Sequence, residues 1–413
     1  MCDRRFSFLF LRVVSILLAL LVFSGDMFGA ASSRKRRRHR GKHRVTTARR
    51  AAIARSSTAN RTRVLKRPVS YTTRFGAPAR KFAPIIQGGP WTAPTFADST
   101  QGDNVDGEDL QVRRAAVEAL GPYNGSVVVV DPSNGRILSM VNQRLALGSG
   151  FQPCSTIKIS VALAALMEGA VESQTRVRLY GRSTMALTEA LARSNNLYFA
   201  KLGSQLGFEK VKYYANLFGY GEKAGLNIAD EQPGNFPAEP PRNGGVGMLS
   251  SFGEGIRQTP LQLAALMSAL ANGGTLYYLQ YPRSRAEVEN FVPKVKRQLH
   301  FQEFLPEIKP GMLGAVEFGT ARRAQQELPI AGKTGTCTDS KTHLGWFGSY
   351  NDVGPNKLVV VVLLTGGRPA IGPLAAGIAG SVYKNLSQVN YFMATRTPVT
   401  PASLVSTQIC CRR

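Results

Sequence analysis

Apolar and polar positions along the chain alternate with different periods, and the period marks the elements. Residues 6–23 are apolar apart from Ser7, Arg12 and Ser15, and their uninterrupted part, 16–23, suits a signal h-region better than a membrane span. No apolar periodicity follows until Val112, Ala116 and Leu120, whose i, i+4, i+8 spacing predicts a helix stopped by Gly121-Pro122. Residues 125–132 and 135–141 read as two strands joined by the turn Pro132-Ser133-Asn134-Gly135. The apolar run 159–167 predicts a helix, and further helices are expected at 184–206, 209–218 and 260–272, the last closed by Gly273-Gly274. Lys333-Thr334-Gly335 is expected on a strand, with 343–350 and 357–365 as neighbouring strands and 372–386 as a final helix. The order helix, two strands, helical region, three strands, helix implies an α/β fold of the α+β type. It consists of an antiparallel five-stranded sheet covered by helices, plus an all-helical lobe, with a cleft between them.

Composition changes the picture mainly at the N-terminal end. With 413 residues and 43% apolar content, the chain can hold one large domain or two to three average ones. The net charge of +26 is uneven: residues 34–67 carry 15 Lys/Arg and no acid. Such a run cannot bury a core and reads as disordered. Its roles are a solvated tether, or adhesion to an anionic membrane or wall surface, with nucleic acid the least favoured partner. Pro78, Pro84, Gly88-Gly89-Pro90 and Pro94, then 103–109, continue as linker chemistry. Gly29-Ala30-Ala31 offers cleavage after Ala31, and the alternative is an uncleaved anchor; the basic run behind the apolar segment opposes positive-inside orientation. Either way the chain is expected to be exported, to the periplasm or extracytoplasmic side. The expected division is 1–31 signal or anchor, 32–107 linker, 108–390 catalytic domain and 391–413 disordered tail, the tail holding Cys410-Cys411.

Candidate chemistry begins at Pro153-Cys154-Ser155-Thr156-Ile157-Lys158. A serine alcohol needs a base within hydrogen-bond reach to act as a nucleophile. In a helix opened by Pro153, Lys158 lies at i+3, on the same face as Ser155. A partly buried lysine near another cation can lose its proton near neutral pH. Alone the pattern is also that of an ordinary helix start. No second histidine lies near His343, so a strand residue is expected there and no metal or cofactor site.

Ser194-Asn195-Asn196 and Lys333-Thr334-Gly335-Thr336 complete S-x-x-K, S-x-N and K-T-G in order, the signature set of the penicillin-recognising serine acyltransferases. The sequence resembles the transpeptidase domain of penicillin-binding proteins over about residues 108–390. Supporting stretches are Ser251-Phe252-Gly253-Glu254-Gly255 with Thr259-Pro260-Leu261-Gln262, and Gly311-Met312-Leu313 with Gly319-Thr320-Ala321. The resemblance implies Ser155 as nucleophile, Lys158 as its base, Ser194 as proton relay to the leaving amine and Lys333 as the cation that attracts a substrate carboxylate and keeps the pKa of Lys158 low. It implies substrate contacts from Asn196, Thr334, Gly335 and Thr336, and an oxyanion hole from the backbone N–H groups of Ser155 and Thr336. Asn195 is left with a structural role.

Cys154 stands where this family often has glycine or alanine, and Cys337 directly follows Thr336. If the two oxyanion donors converge, these neighbours are close as well, and the Cα span a disulfide needs can be met. The arrangement resembles the active-site disulfide of class A carbapenemases; the alternative is two buried small hydrophobes. Glu231 and Asn235 repeat the E-x-x-x-N spacing of class A β-lactamases, although the surrounding residues look like a turn. The function implied is a D,D-transpeptidase that cross-links peptidoglycan stem peptides ending in D-Ala-D-Ala, is acylated by β-lactam antibiotics and has a glycan polymerase as a potential partner. The N-terminal region is too short for a glycosyltransferase or large pedestal domain. Rival readings are a β-lactamase or D,D-carboxypeptidase on the same fold, and a non-catalytic β-lactam sensor.

Overall fold

The computed structural model describes residues 92–339 and 342–393, all within one compact unit, Pro78–Arg413. The apolar segment at 6–23, the basic run and Cys410-Cys411 lie outside the described residues. Among the described residues no helix is long and apolar enough to cross a membrane.

In chain order the elements are α1 (Leu110–Leu120), β1 (Gly125–Asp131), β2 (Arg136–Val141), a 3-10 turn (Cys154–Thr156), α2 (Ile157–Met167), β3 (Val177–Tyr180), β4 (Ser183–Met185), α3 (Leu187–Ala192), α4 (Asn196–Leu206), α5 (Phe208–Leu217), α6 (Gly245–Phe252), α7 (Pro260–Asn272), β5 (Thr275–Tyr277), β6 (Val295–Gln298), α8 (Leu305–Glu317), β7 (Ala331–Asp339), β8 (Thr342–Asn351), β9 (Leu358–Gly366) and α9 (Gly372–Gln388). Two five-residue helices, Gln143–Leu147 and Arg285–Glu289, sit in connections. The main sheet has the order β2-β1-β9-β8-β7, antiparallel throughout.

β1 and β9 are buried along their whole length, so both faces of the sheet are covered. Strand pleating divides their valines between two cores. Val127, Val129, Val360 and Val362 face α1 and α9, whereas Val128, Val130, Val359 and Val361 face α7 and the helical lobe. α7 is buried nearly all round, as a helix between sheet and lobe must be. Its start is fixed by a capping box between Thr259 and Gln262, with Pro260 at the first helical position, and Gly273 closes it at φ +89°.

Two boundaries differ from the pattern of the sequence. The segment expected as linker up to residue 107 is packed in its last part: Thr95 and Ser99 are buried, and Phe96 bridges to Tyr123. Asp103 accepts from the Arg113 guanidinium (2.7 Å) and from the backbone N–H groups of Asn142 and Gln143. This arm is held by polar anchoring rather than by apolar burial, so hydrophobic patterning does not register it. At the other end Tyr391 and Phe392 are buried, past the expected limit at 390. The lobe also carries two ribbons, β3-β4 and β5-β6, that patterning did not show.

Candidate active site

Two of the three motifs sit where one element ends and the next begins, and Lys333-Thr334-Gly335 lies within β7. Pro153 adopts φ −66° and opens the 3-10 turn; Cys154 then takes a left-handed φ of 52°, which a Cβ-bearing residue holds only when its surroundings impose it. The surroundings here are the loop, β7 and β8. The Trp346 indole N–H donates to the Gln152 carbonyl (2.9 Å), and Cys154 is disulfide-bonded to Cys337 on β7 with a Cα separation of 5.5 Å. A Cβ at Gly335 would press on the Pro153 carbonyl oxygen at 2.9 Å, so glycine lets strand and turn meet.

The helix expected over 184–206 is interrupted. α3 ends at Ala192; Ser194 adopts φ 57° while its N–H returns to Leu191 O and that of Asn195 to Ala190 O. The Asn195 side chain then caps α4 by accepting from Tyr198 N (2.8 Å). The Ser-Asn-Asn run is thus a helix end followed by a helix start, and it turns Ser194 toward the nucleophile. α8, missing from the sequence pattern, packs against α3 through Gly311 and Gly314.

Five side chains converge. The Lys158 amine lies 3.0 Å from Ser155 Oγ, 3.1 Å from Ser194 Oγ, 2.9 Å from the Ser194 carbonyl and 2.6 Å from Asn196 Oδ1. The Lys333 amine donates to Ser194 Oγ (2.8 Å) and to the Thr334 carbonyl (3.0 Å). Ser155 is 8% exposed and both lysines 0%, and neither lysine has a carboxylate in ion-pair range among the described residues. Burial lowers Lys158 to about 7. Lys333 is held well below the usual lysine range, by burial first and by the Lys158 charge second. The expectation that Lys333 depresses Lys158 therefore yields to desolvation as the main cause.

This geometry dictates a proton arrangement. A neutral Lys158 has two N–H bonds, and two of its neighbours, the Ser194 carbonyl and Asn196 Oδ1, can only accept. With both N–H bonds so used, the lone pair faces the hydroxyls, and Ser155 can donate its proton to it. Ser194 Oγ accepts from Lys333, so its own proton is available to a group in the cleft.

Of the other singled-out residues, Thr334 pairs its hydroxyl with Thr320 (2.5 Å) and Thr336 Oγ1 accepts from Gly372 N (2.8 Å). Glu231 is 1% exposed and its carboxylate accepts from the backbone N–H groups of Ala224 and Gly225, so it braces a turn. His343 lies on β8 with its Nδ1 2.8 Å from Thr338 Oγ1. Thr320 and Gly372 carried no role in the sequence; only the run Gly319-Thr320-Ala321 marked the first.

Residues 125–388 match the family model described as the penicillin binding protein transpeptidase domain. Stage V sporulation protein D of Bacillus subtilis (strain 168) is 30% identical over 311 residues, 65% of this chain and 48% of that protein, so the chain spans about half its length. Peptidoglycan D,D-transpeptidase PbpA of Mycobacterium tuberculosis (strain H37Rv) is 25% identical over 397 residues, covering 76% of this chain and 80% of that one. Among solved structures, PBP2 of Pseudomonas aeruginosa in complex with WCK 5153 shares the fold with a TM-score of 0.58 at 24% identity, over 68% of this chain and 77% of that one. The D,D-transpeptidase domain of a peptidoglycan glycosyltransferase from Eggerthella lenta does so with 0.56 at 21%, over 68% and 81%.

Proposed function

The chain belongs to the penicillin-binding-protein transpeptidase family, and from that premise we propose that it is a D,D-transpeptidase acting outside the cytoplasm on peptidoglycan stem peptides ending in D-Ala-D-Ala. The observation that carries the proposal is the buried Lys158 amine, 3.0 Å from Ser155 Oγ and without a carboxylate partner among the described residues.

Ser155 Oγ attacks the carbonyl carbon of the penultimate D-Ala while its proton passes to the Lys158 amine. The backbone N–H groups of Ser155 and Thr336 hold the oxyanion, each donor worth about 3 kcal/mol. As the tetrahedral species collapses, the C–N bond breaks and the departing amine takes a proton from Ser194 Oγ, which draws on the lysine pair for its replacement. Asn196, whose Oδ1 is occupied by Lys158, offers its NH₂ to the peptide carbonyl. Gly335 lets β7 close on the turn bearing Ser155, so that the donor lies along the strand beside the nucleophile, and Thr334, Thr336 and Lys333 receive the terminal carboxylate. An acceptor amine then reverses these steps, forming the cross-link. A β-lactam follows the same first half, its ring amide in place of the scissile peptide. The basic run of 34–67 holds the enzyme near an anionic membrane or wall surface, where a glycan polymerase supplies the strands.

Timed incubation with a fluorescent penicillin tests this. A covalent adduct on Ser155 that outlasts the labelling period, and its absence in Ser155→Ala, is the expected result. Rapid release of the adduct would favour the hydrolytic readings; no adduct on the unaltered protein would overturn the enzyme reading.

A further inference from the structure

On β7 the side chains of Thr334 and Thr336 share one face, being two residues apart. Each of their hydroxyls has a partner from outside the strand. Thr336 Oγ1 accepts the N–H of Gly372, the first residue of the 17-residue α9, at 2.8 Å. Since that backbone group can only donate, the proton of Thr336 is left to point away from the helix. Thr334 is 3% exposed, and its Oγ1 lies 2.5 Å from Thr320 Oγ1. Thr320 is itself held by its N–H to the carbonyl of Ala192, the last residue of α3, at 3.2 Å. It therefore spans from the segment bearing Ser194 to the strand bearing Lys333. The start of α9 is packed closely on both threonines: a Cβ at Gly372 would lie 2.9 Å from Thr334 Cβ and 2.9 Å from Thr336 Oγ1.

We infer that Thr320 is a positioning residue for donor recognition: acting through Thr334, it makes the K-T-G-T hydroxyls a matched pair of donors for the substrate's terminal carboxylate. The inference rests on the transpeptidase reading of this cleft. A carboxylate accepts only, so when it is bound Thr334 must donate to it, and the Thr334 lone pair is then free to accept from Thr320. The Thr320-to-Thr334 chain reproduces on one hydroxyl what the Gly372 N–H does on the other. Each donor polarises the next, which strengthens the outer bond in a buried setting. Without Thr320 the Thr334 hydroxyl could turn, and its proton would have no fixed direction.

The test compares second-order acylation of the full chain by benzylpenicillin and by its methyl ester, in which the carboxylate is masked. Loss of one hydrogen bond to a charged group predicts that Thr320→Val lowers the preference for the free acid about tenfold, the loss falling on the concentration dependence rather than on the limiting rate. Thr320→Ser, which keeps the hydroxyl, should restore the preference. Thr320→Ala supplies the same reading where the valine variant misfolds. An unchanged acid-to-ester ratio in the hydroxyl-free variants, or no restoration by serine, overturns the assignment while leaving the enzyme reading intact. Failure of the unaltered protein to acylate with either probe overturns both.

Discussion

Lys158 decides how the site responds to pH. Its folded value of about 7, set by burial, lies well under the ordinary 10.5 of a lysine. Below about 7 the amine is protonated and cannot accept the Ser155 proton, so the acylation rate should rise with pH and level off above that value. Stopped-flow labelling at graded pH checks this; a flat profile between pH 5 and 9 would contradict it. The same shift enters stability. Between the folded and the unfolded value the unfolded chain binds more protons, so stability rises with pH across that window, and the cost of the buried charge is fully present below it. Lys158→Met should lose acylation and also shrink this rise to the part that buried Lys333 contributes, as denaturant titrations at several pH values would show. S-x-x-K was legible in the chain as a pattern. That both lysines are sealed, with no carboxylate in ion-pair range among the described residues, was not, because burial is a property of what packs around them.

The elements show where hydrophobic periodicity is blind. It marks α7 and α9 well, since α7 reproduces the expected 260–272 and α9 begins at the expected Gly372. It fused α3 and α4 because Leu187, Leu191, Phe199 and Leu202 are all buried on either side of a break made by backbone conformation. The break is written in Ser194-Asn195, one residue in the left-handed region and one capping side chain. Asn195→Ala should therefore cost about 1 kcal/mol, as for a lost N-cap. It should also slow acylation, because Ser194 shares the turn; a thermal melt with a labelling time course measures both. An unaltered labelling rate would detach the cap from the site. α8 escaped notice for a related reason: Pro310, Gly311 and Gly314 all lower helix propensity, yet the two glycines are what let it approach α3 and the Phe318 ring.

For the whole molecule, two long-range constraints matter. Cys154 and Cys337 are 183 residues apart, and closing so long a loop gives about 5 kcal/mol in the chain-entropy model, with 2–4 kcal/mol typical of measured bridges. The bridge also fixes the turn bearing Ser155 against β7. Reduction should lower the melting temperature by several degrees and slow penicillin acylation; non-reduced tryptic peptides showing both thiols free would remove the basis for this. The second constraint is the polar arm before α1. Arg113 is buried between Asp103 and Glu108, and Glu108 accepts from Ser139, Met140 N and Tyr281. A chain begun at residue 108, where composition puts the domain boundary, removes Asp103 and leaves a buried guanidinium short of a partner. It should be less stable by about 3 kcal/mol than one begun at residue 92. Equal urea midpoints would count against the arm.

By itself the sequence determined the strands of the main sheet, the helices α1, α2, α7 and α9 and the three motifs, because each depends on residues close together in the chain. Tertiary structure decided the rest. Left-handed φ at Cys154 and Ser194, the desolvation of two lysines, the polar docking of residues 94–109 and the meeting of Thr320 with Thr334 all depend on distant segments. Their energies come from exclusion of water and from hydrogen-bond geometry, and neither exists until those segments pack together.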